Sequence, residues 1–146
     1  MDEILKQYTL IDFSKDQMDI IKHGFDIGLT KEQIDLYAKL EFNVFQMDEI
    51  KKGLECGLTI EQVQIYANPK YHSNQMVQIR IGLNQGVNVK WYTNPNFNAH
   101  QMYEIRMGLL SKLNVHLYAN PNIKPVEMYT IRKYLSIRKD SGLDGH

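Results

Sequence analysis

The chain has 146 residues, of which 43% are hydrophobic and 23% charged, a composition that supports one ordinary buried core and gives no sign of disorder. Seventeen basic and seventeen acidic residues cancel, but residues 1–70 carry thirteen acids against eight bases and residues 71–146 four acids against nine bases. The neutral total conceals an asymmetry that can steer an acidic partner to the C-terminal half or promote head-to-tail self-association.

The opening residues, MDEILKQYTL, lack the basic start and apolar run of a secretory signal, and no later stretch approaches the ~20 apolar residues that cross a bilayer. A cytoplasmic protein is expected, with no membrane partner. From Phe13 onward an internal repeat organises the chain. Gln-Met recurs as Gln17-Met18, Gln46-Met47, Gln75-Met76 and Gln101-Met102, with Glu127-Met128 as a weaker fifth copy, at spacings of 29, 29, 26 and 26 residues. The same register holds Phe13, Phe42, Tyr71, Phe97 and Ile123; Ile21, Ile50, Ile79, Ile105 and Ile131; and Gly24, Gly53, Gly82 and Gly108. Tyr37, Tyr66, Tyr92 and Tyr118 follow, and Tyr8 extends that series backwards by 29. The predicted organisation is a single repeat domain over 1–146: a partial unit at 1–12, units at about 13–41, 42–70, 71–96 and 97–122, and a C-terminal capping helix at 123–146.

In the first unit Met18, Ile21, Phe25 and Leu29 lie three or four apart, on one face of a helix of about thirteen residues. Ser14 is placed to cap it and Gln17 to reach back; Asn43 and Asn98 can do likewise, and Pro125 falls at the first helical position of the last copy. Gly28, Gly57 and Gly86 are expected to stop these helices in left-handed conformation, with Lys112 a strained choice at the fourth such place. A second, shorter helix begins at Thr30 and Thr59, whose TKEQ and TIEQ read as capping boxes. Three residues are absent after Asn88 and Asn114, which predicts single turns there. Asn68-Pro69, Asn94-Pro95 and Asn120-Pro121 then end the unit. The fold class is therefore all-α: an α-solenoid-like helical-repeat array with a long and a short helix per unit.

The mid-helix glycine costs ~1 kcal/mol relative to alanine, so its recurrence suggests a neighbouring helix too close for a side chain. Tyr134 replaces it in the fifth copy, as expected of a cap with no successor. Recurring methionines and tyrosines read as core, the tyrosine hydroxyls with a local partner. Cys56 reads as a small buried filler in a reducing compartment.

The third copy, written QMxxIRxGLxxGVNVxxYxNPxF, resembles a short helical repeat of 26–29 residues found in proteins of gut bacteria and of their phages, plasmids and conjugative elements. The likeness runs from about Tyr8 to Leu135, departing in the extra turn of the first two copies and in Glu127 and Tyr134. It implies a repeat array from a mobile-element or host-interaction setting, and carries over no catalytic or binding residue.

No nucleophile elbow, Gly-rich phosphate loop, HExxH or CxxC is present, and His23, His72, His100, His116 and His146 lack metal-ligand spacing. No enzymatic activity, metal or other cofactor is expected. The position after the recurrent isoleucine is always basic: Lys22, Lys51, Arg80, Arg106 and Arg132. The lysines have acids at helical spacing, Asp19 and Asp26 for Lys22, Asp48 and Glu55 for Lys51, whereas the arginines have none on their own helices. This predicts an exposed C-terminal ridge of Arg80, Tyr103, Arg106, Met107, Leu110, Tyr129, Arg132 and Lys133. Arginine, tyrosine and methionine suit a protein interface, and arginine with tyrosine also suits nucleic acid. The expected function is a protein-interaction module; the alternatives are a nucleic-acid-binding module, or a small phage- or plasmid-encoded inhibitor of a host defence protein.

Overall fold

The computed structural model describes residues 2–142, the side chain of Asp2 excepted. His146 and the end of the expected capping segment lie outside them. Among the described residues there are α-helices and two 3-10 turns and no strand: α1 (Asp2–Thr9), α2 (Lys15–Asp26), α3 (Lys31–Ile34), α4 (Val44–Glu55), α5 (Ile60–Gln64), α6 (Ser73–Gln85), the turn Val89–Trp91, α7 (Ala99–Leu110), the turn Val115–Leu117 and α8 (Pro125–Asp140). The protein is all-α. It forms two compact units, 1–80 and 81–146, with the division inside α6.

The long helices begin where their caps dictate. Ser14, Asn43 and Asn98 accept from the backbone N–H of Gln17, Gln46 and Gln101, whose side-chain oxygens accept from the cap N–H in return. Thr30 and Thr59 close the same box with Gln33 and Gln62 on α3 and α5. At the other end Gly28, Gly57 and Gly86 take φ of 91°, 91° and 77°, and Lys112 takes 60°. That strained residue is buttressed from α8, since Lys139 Nζ donates to the Ser111 carbonyl at 2.7 Å. The two deleted turns leave only the 3-10 turns at Val89–Trp91 and Val115–Leu117.

In the first unit the core is Ile21, Ile34, Tyr37, Met47, Ile50, Val63 and Tyr66, all sealed from solvent. Tyr8 closes its N-terminal side by tilting against Phe25, ring centroids 5.8 Å apart, and donating to Asp35 Oδ1. In the second unit Tyr92, Met102, Ile105, Tyr118 and Met128 are equally buried. Met18 and Leu29 are only half-buried, at the edge of the face that Ile21 and Phe25 define. Cys56 is exposed as the C-cap of α4, so the expectation of a buried filler is corrected: it follows the apolar stripe by two positions and points to water.

The glycine expectation is also corrected. What crowds each mid-helix glycine is the tyrosine of its own unit. A Cβ on Gly53 would lie 2.1 Å from the Tyr66 hydroxyl, and one on Gly108 2.0 Å from that of Tyr118. The bare backbone lets the ring lie against the helix and donate to the carbonyl four residues before the glycine: Tyr37 to Ile20 at 3.3 Å, Tyr66 to Glu49 at 2.9 Å and Tyr118 to Glu104 at 2.7 Å. Each carbonyl spends its second lone pair on the tyrosine, so a buried hydroxyl is satisfied without breaking the helix. Burial raises the hydroxyl pKa of all four tyrosines.

The repeated glutamine has a second role beyond capping. Its Nε2 donates across to the next copy: Gln17 to the Phe42 carbonyl at 2.9 Å, Gln46 to Tyr71 at 2.8 Å, and Gln101 to Pro121 at 2.9 Å and Ile123 at 2.8 Å. One amide therefore caps its own helix and pins the loop that leads into the following one. Those loops are shaped by Asn68, Asn94 and Asn120, whose side chains accept from the N–H two residues on at 2.9 Å.

Candidate functional site

The basic position after the recurrent isoleucine is not the free ridge that the local sequence suggests. Arg80 Nε donates to Glu49 Oε2 at 3.1 Å, and Arg132 Nε to Glu104 Oε1 at 2.8 Å; Arg106 Nη1 reaches Gln85 Oε1 at 3.0 Å and is only 6% exposed. The acids lost from the arginine's own helix are supplied by the helix one copy earlier. Lys51 is buried and bonded to Glu55, as its spacing predicts, but Asp48 pairs with Lys52 and Asp19 with Lys15. Glu49 is the first cause of the upward shift in the Lys52 pKa. The signal for this cross-copy pairing is in the repeat register: Glu49 and Glu104 stand three places after Gln46 and Gln101, one copy before Arg80 and Arg132.

What remains at the surface is aromatic. Tyr103 on α7 is 39% exposed and Tyr129 on α8 is 48% exposed. Each ring carries the arginine of its own next turn over one face, Arg106 at 5.3 Å and Arg132 at 5.4 Å from the centroids, with Lys133 at 6.0 Å from Tyr129. Because Glu104 holds Arg132, this ring and cation are ordered in advance of any partner. Between the helices runs a groove of about 310 Å³ lined by His100, Tyr103 and Glu104 from α7 and Pro125, Val126 and Tyr129 from α8. Among these Glu104 is buried and Val126 exposed, and Pro125 fixes the first turn of α8.

Of the eight residues expected at the surface, the second unit brings Tyr103, Arg106, Tyr129, Arg132 and Lys133 together. Leu110 is exposed further along α7, Met107 is half-buried, and Arg80 is engaged with Glu49 in the first unit. His100, Pro125 and Val126 were missed by sequence reasoning. Their signal is variation: the place before the repeated glutamine reads Asp16, Phe45, Asn74, His100 and Val126, a mixture that no shared packing role demands. Among the described residues no three His, Cys, Asp or Glu side chains converge where a metal could sit, and no helix is long and apolar enough to cross a membrane. No family model, curated protein or solved structure matches this chain.

Proposed function

We propose that this chain is a non-catalytic protein-interaction module, an α-solenoid-like array of stacked helical units whose docking surface is the groove of Tyr103 and Tyr129. The observation that carries the reading is the pair of part-exposed tyrosines on adjacent helices, each with a cation already seated on its ring. Tyrosine offers a large apolar face and a hydroxyl at small conformational cost, which is why it recurs at binding hot spots. A ring whose neighbours are fixed beforehand loses less freedom on binding. The residues that recur through the chain, namely glutamine, glycine and buried tyrosine, are consumed by the scaffold, and the groove is built at repeat positions whose residue type changes between the first copies and the last.

Nucleic acid is the second reading, favoured by the eight bases against four acids in residues 81–146 and by rings able to stack on bases. It is weaker because Arg132 already answers Glu104 and brings less charge to a phosphate. The mobile-element setting of the resembling repeats makes a host defence protein one candidate partner. The test is affinity capture from the source cell with wild-type protein and with Tyr103→Ala/Tyr129→Ala, with and without nuclease. Loss of a nuclease-resistant partner from the double variant, with its helical content and melting unchanged, supports the reading. Equal capture by both proteins, or a partner that vanishes with nuclease, rejects it.

A further inference from the structure

The groove between α7 and α8 has a counterpart at the same place in the first unit. Between α2 and α4 lies a hollow of about 470 Å³ lined by Asp16, Asp19, Ile20, Val44, Phe45 and Asp48. Counted from the repeated glutamine, Asp16 corresponds to His100, Asp19 to Tyr103, Phe45 to Val126 and Asp48 to Tyr129. One architecture therefore presents two opposite chemistries. In the first unit a phenylalanine that is 68% exposed stands among three carboxylates. In the second unit the walls are tyrosines with Arg106, Arg132 and Lys133 against their rings; Glu104 in the lining answers Arg132, and the cations beyond that pair are Lys133 and Lys124, which directly precedes the lining Pro125. The imbalance extends beyond the hollows: residues 1–80 hold thirteen acids against nine bases, and residues 81–146 four against eight.

Resting on the reading of the tyrosine groove as a protein-docking site, we propose that its occupant is a second copy of this chain, which seats Phe45 between Tyr103 and Tyr129. The ring leaves water for an aromatic slot, where edge or offset contact with the tyrosines is favourable. The acidic side of the Phe45 face, Asp16 together with the exposed pairs Asp19–Lys15 and Asp48–Lys52, comes to face Lys124 and Lys133. The ion pairs orient the two copies and speed their encounter, while the aromatic contact holds them. Such a contact is heterologous: each copy uses its first unit on one neighbour and keeps its second unit open for another, so association builds chains or rings.

Sedimentation equilibrium of the wild type and two variants tests this. Phe45→Ala leaves only the tyrosine groove competent, and Tyr103→Ala/Tyr129→Ala leaves only the Phe45 face competent; all three side chains are exposed enough for both variants to fold, which circular dichroism checks. The wild type is expected to gain mass with concentration, and to lose part of that gain between about 0.05 M and about 0.5 M NaCl. Each variant alone should stay near 17.1 kDa, and their equimolar mixture should stop at twice that mass, because one competent contact remains between them. A wild type that stays monomeric at about 1 mM, where a contact with a dissociation constant of about 1 mM would be more than a third formed, overturns the proposal. So does association that survives in either variant alone, or a mixture that forms no heterodimer. If the wild type is monomeric while the tyrosine double variant still loses a captured partner, self-association fails and the docking site stands.

Discussion

At the scale of single residues, the glycine and tyrosine of each unit have to be read as one group. Glycine inside a helix ordinarily gives up ~1 kcal/mol relative to alanine, yet at Gly53 an added methyl would meet the buried Tyr66 hydroxyl at 2.1 Å and crowd Leu58 Cδ1 at 3.3 Å. Gly53→Ala should therefore lower stability in urea by ~1–3 kcal/mol, against its propensity. The loss should shrink in a Tyr66→Phe background, and strictly additive losses in the double variant would show that the two do not meet. The same burial predicts an alkaline transition. Tyr37, Tyr66, Tyr92 and Tyr118 have their pKa raised above the ordinary 10.0. Below pH 10 folded and unfolded chains both keep these protons and nothing is lost. Above it the unfolded chain releases protons that the folded chain retains, so stability falls as pH rises, by ~1.4 kcal/mol per pH unit for each tyrosine. Tyr66→Phe should flatten that slope by about this amount; an unchanged slope in alkaline urea titrations would exclude Tyr66 as a contributor. Arg132→Glu sets a second carboxylate against Glu104 in a nearly closed site, with an expected loss of ~3 kcal/mol. Exchanging the pair, with Glu104→Arg added, should recover part of it. Full stability in the single variant would mean that the ion pair holds nothing.

At the scale of elements, the choice of glutamine over glutamate is a matter of donors. Either side chain can close a capping box, but only the amide has the N–H groups that Gln101 sends to the Pro121 and Ile123 carbonyls. Gln101→Glu should keep α7 capped and still lose ~1–3 kcal/mol in a thermal melt, because two part-buried carbonyls forfeit their donor. Glu127→Gln, on the exposed first turn of α8, should change the melting temperature very little. A Gln101→Glu protein as stable as wild type would reduce the glutamine to a helix cap. Caps and stops were legible because they are local: Ser14, Thr59 and Pro125 act on residues within one turn. The second role of glutamine was not legible, since its acceptors lie 20 to 25 residues away.

At the scale of the whole molecule, stability comes from apolar residues repeated in register, and no described cluster could hold a metal. A cooperative helical melt that EDTA leaves in place is the expected outcome; a large fall in melting temperature with chelator would contradict it. The charge asymmetry belongs to this scale as well, because no single helix carries it. It was plain in the sequence, whereas the two hollows that give it a use were not, since each is assembled from two long helices about 26–29 residues apart in the chain.

The long helices of the repeats, most of their caps, the left-handed stops and the recurring core residues were legible in the sequence, because hydrogen bonds within a turn and a period of three to four depend on neighbours along the chain; Cys56 and the half-buried Met18 and Leu29 were not. Tertiary structure alone decided what answers the arginines. On their own helices Arg80 and Arg132 have no acid within reach, and a guanidinium in that position reads as free. Folding lays each beside the helix of the preceding copy, where Glu49 and Glu104 wait at the matching register, and the expected ridge becomes a set of internal ties. Recurrence already separated the scaffold tyrosines from Tyr103 and Tyr129; packing decided that each scaffold ring lies against the glycine of its own unit. Tyr118 follows its helix through a short turn that folds it onto Gly108, while Tyr103 and Tyr129, on the helices themselves, are left facing outward.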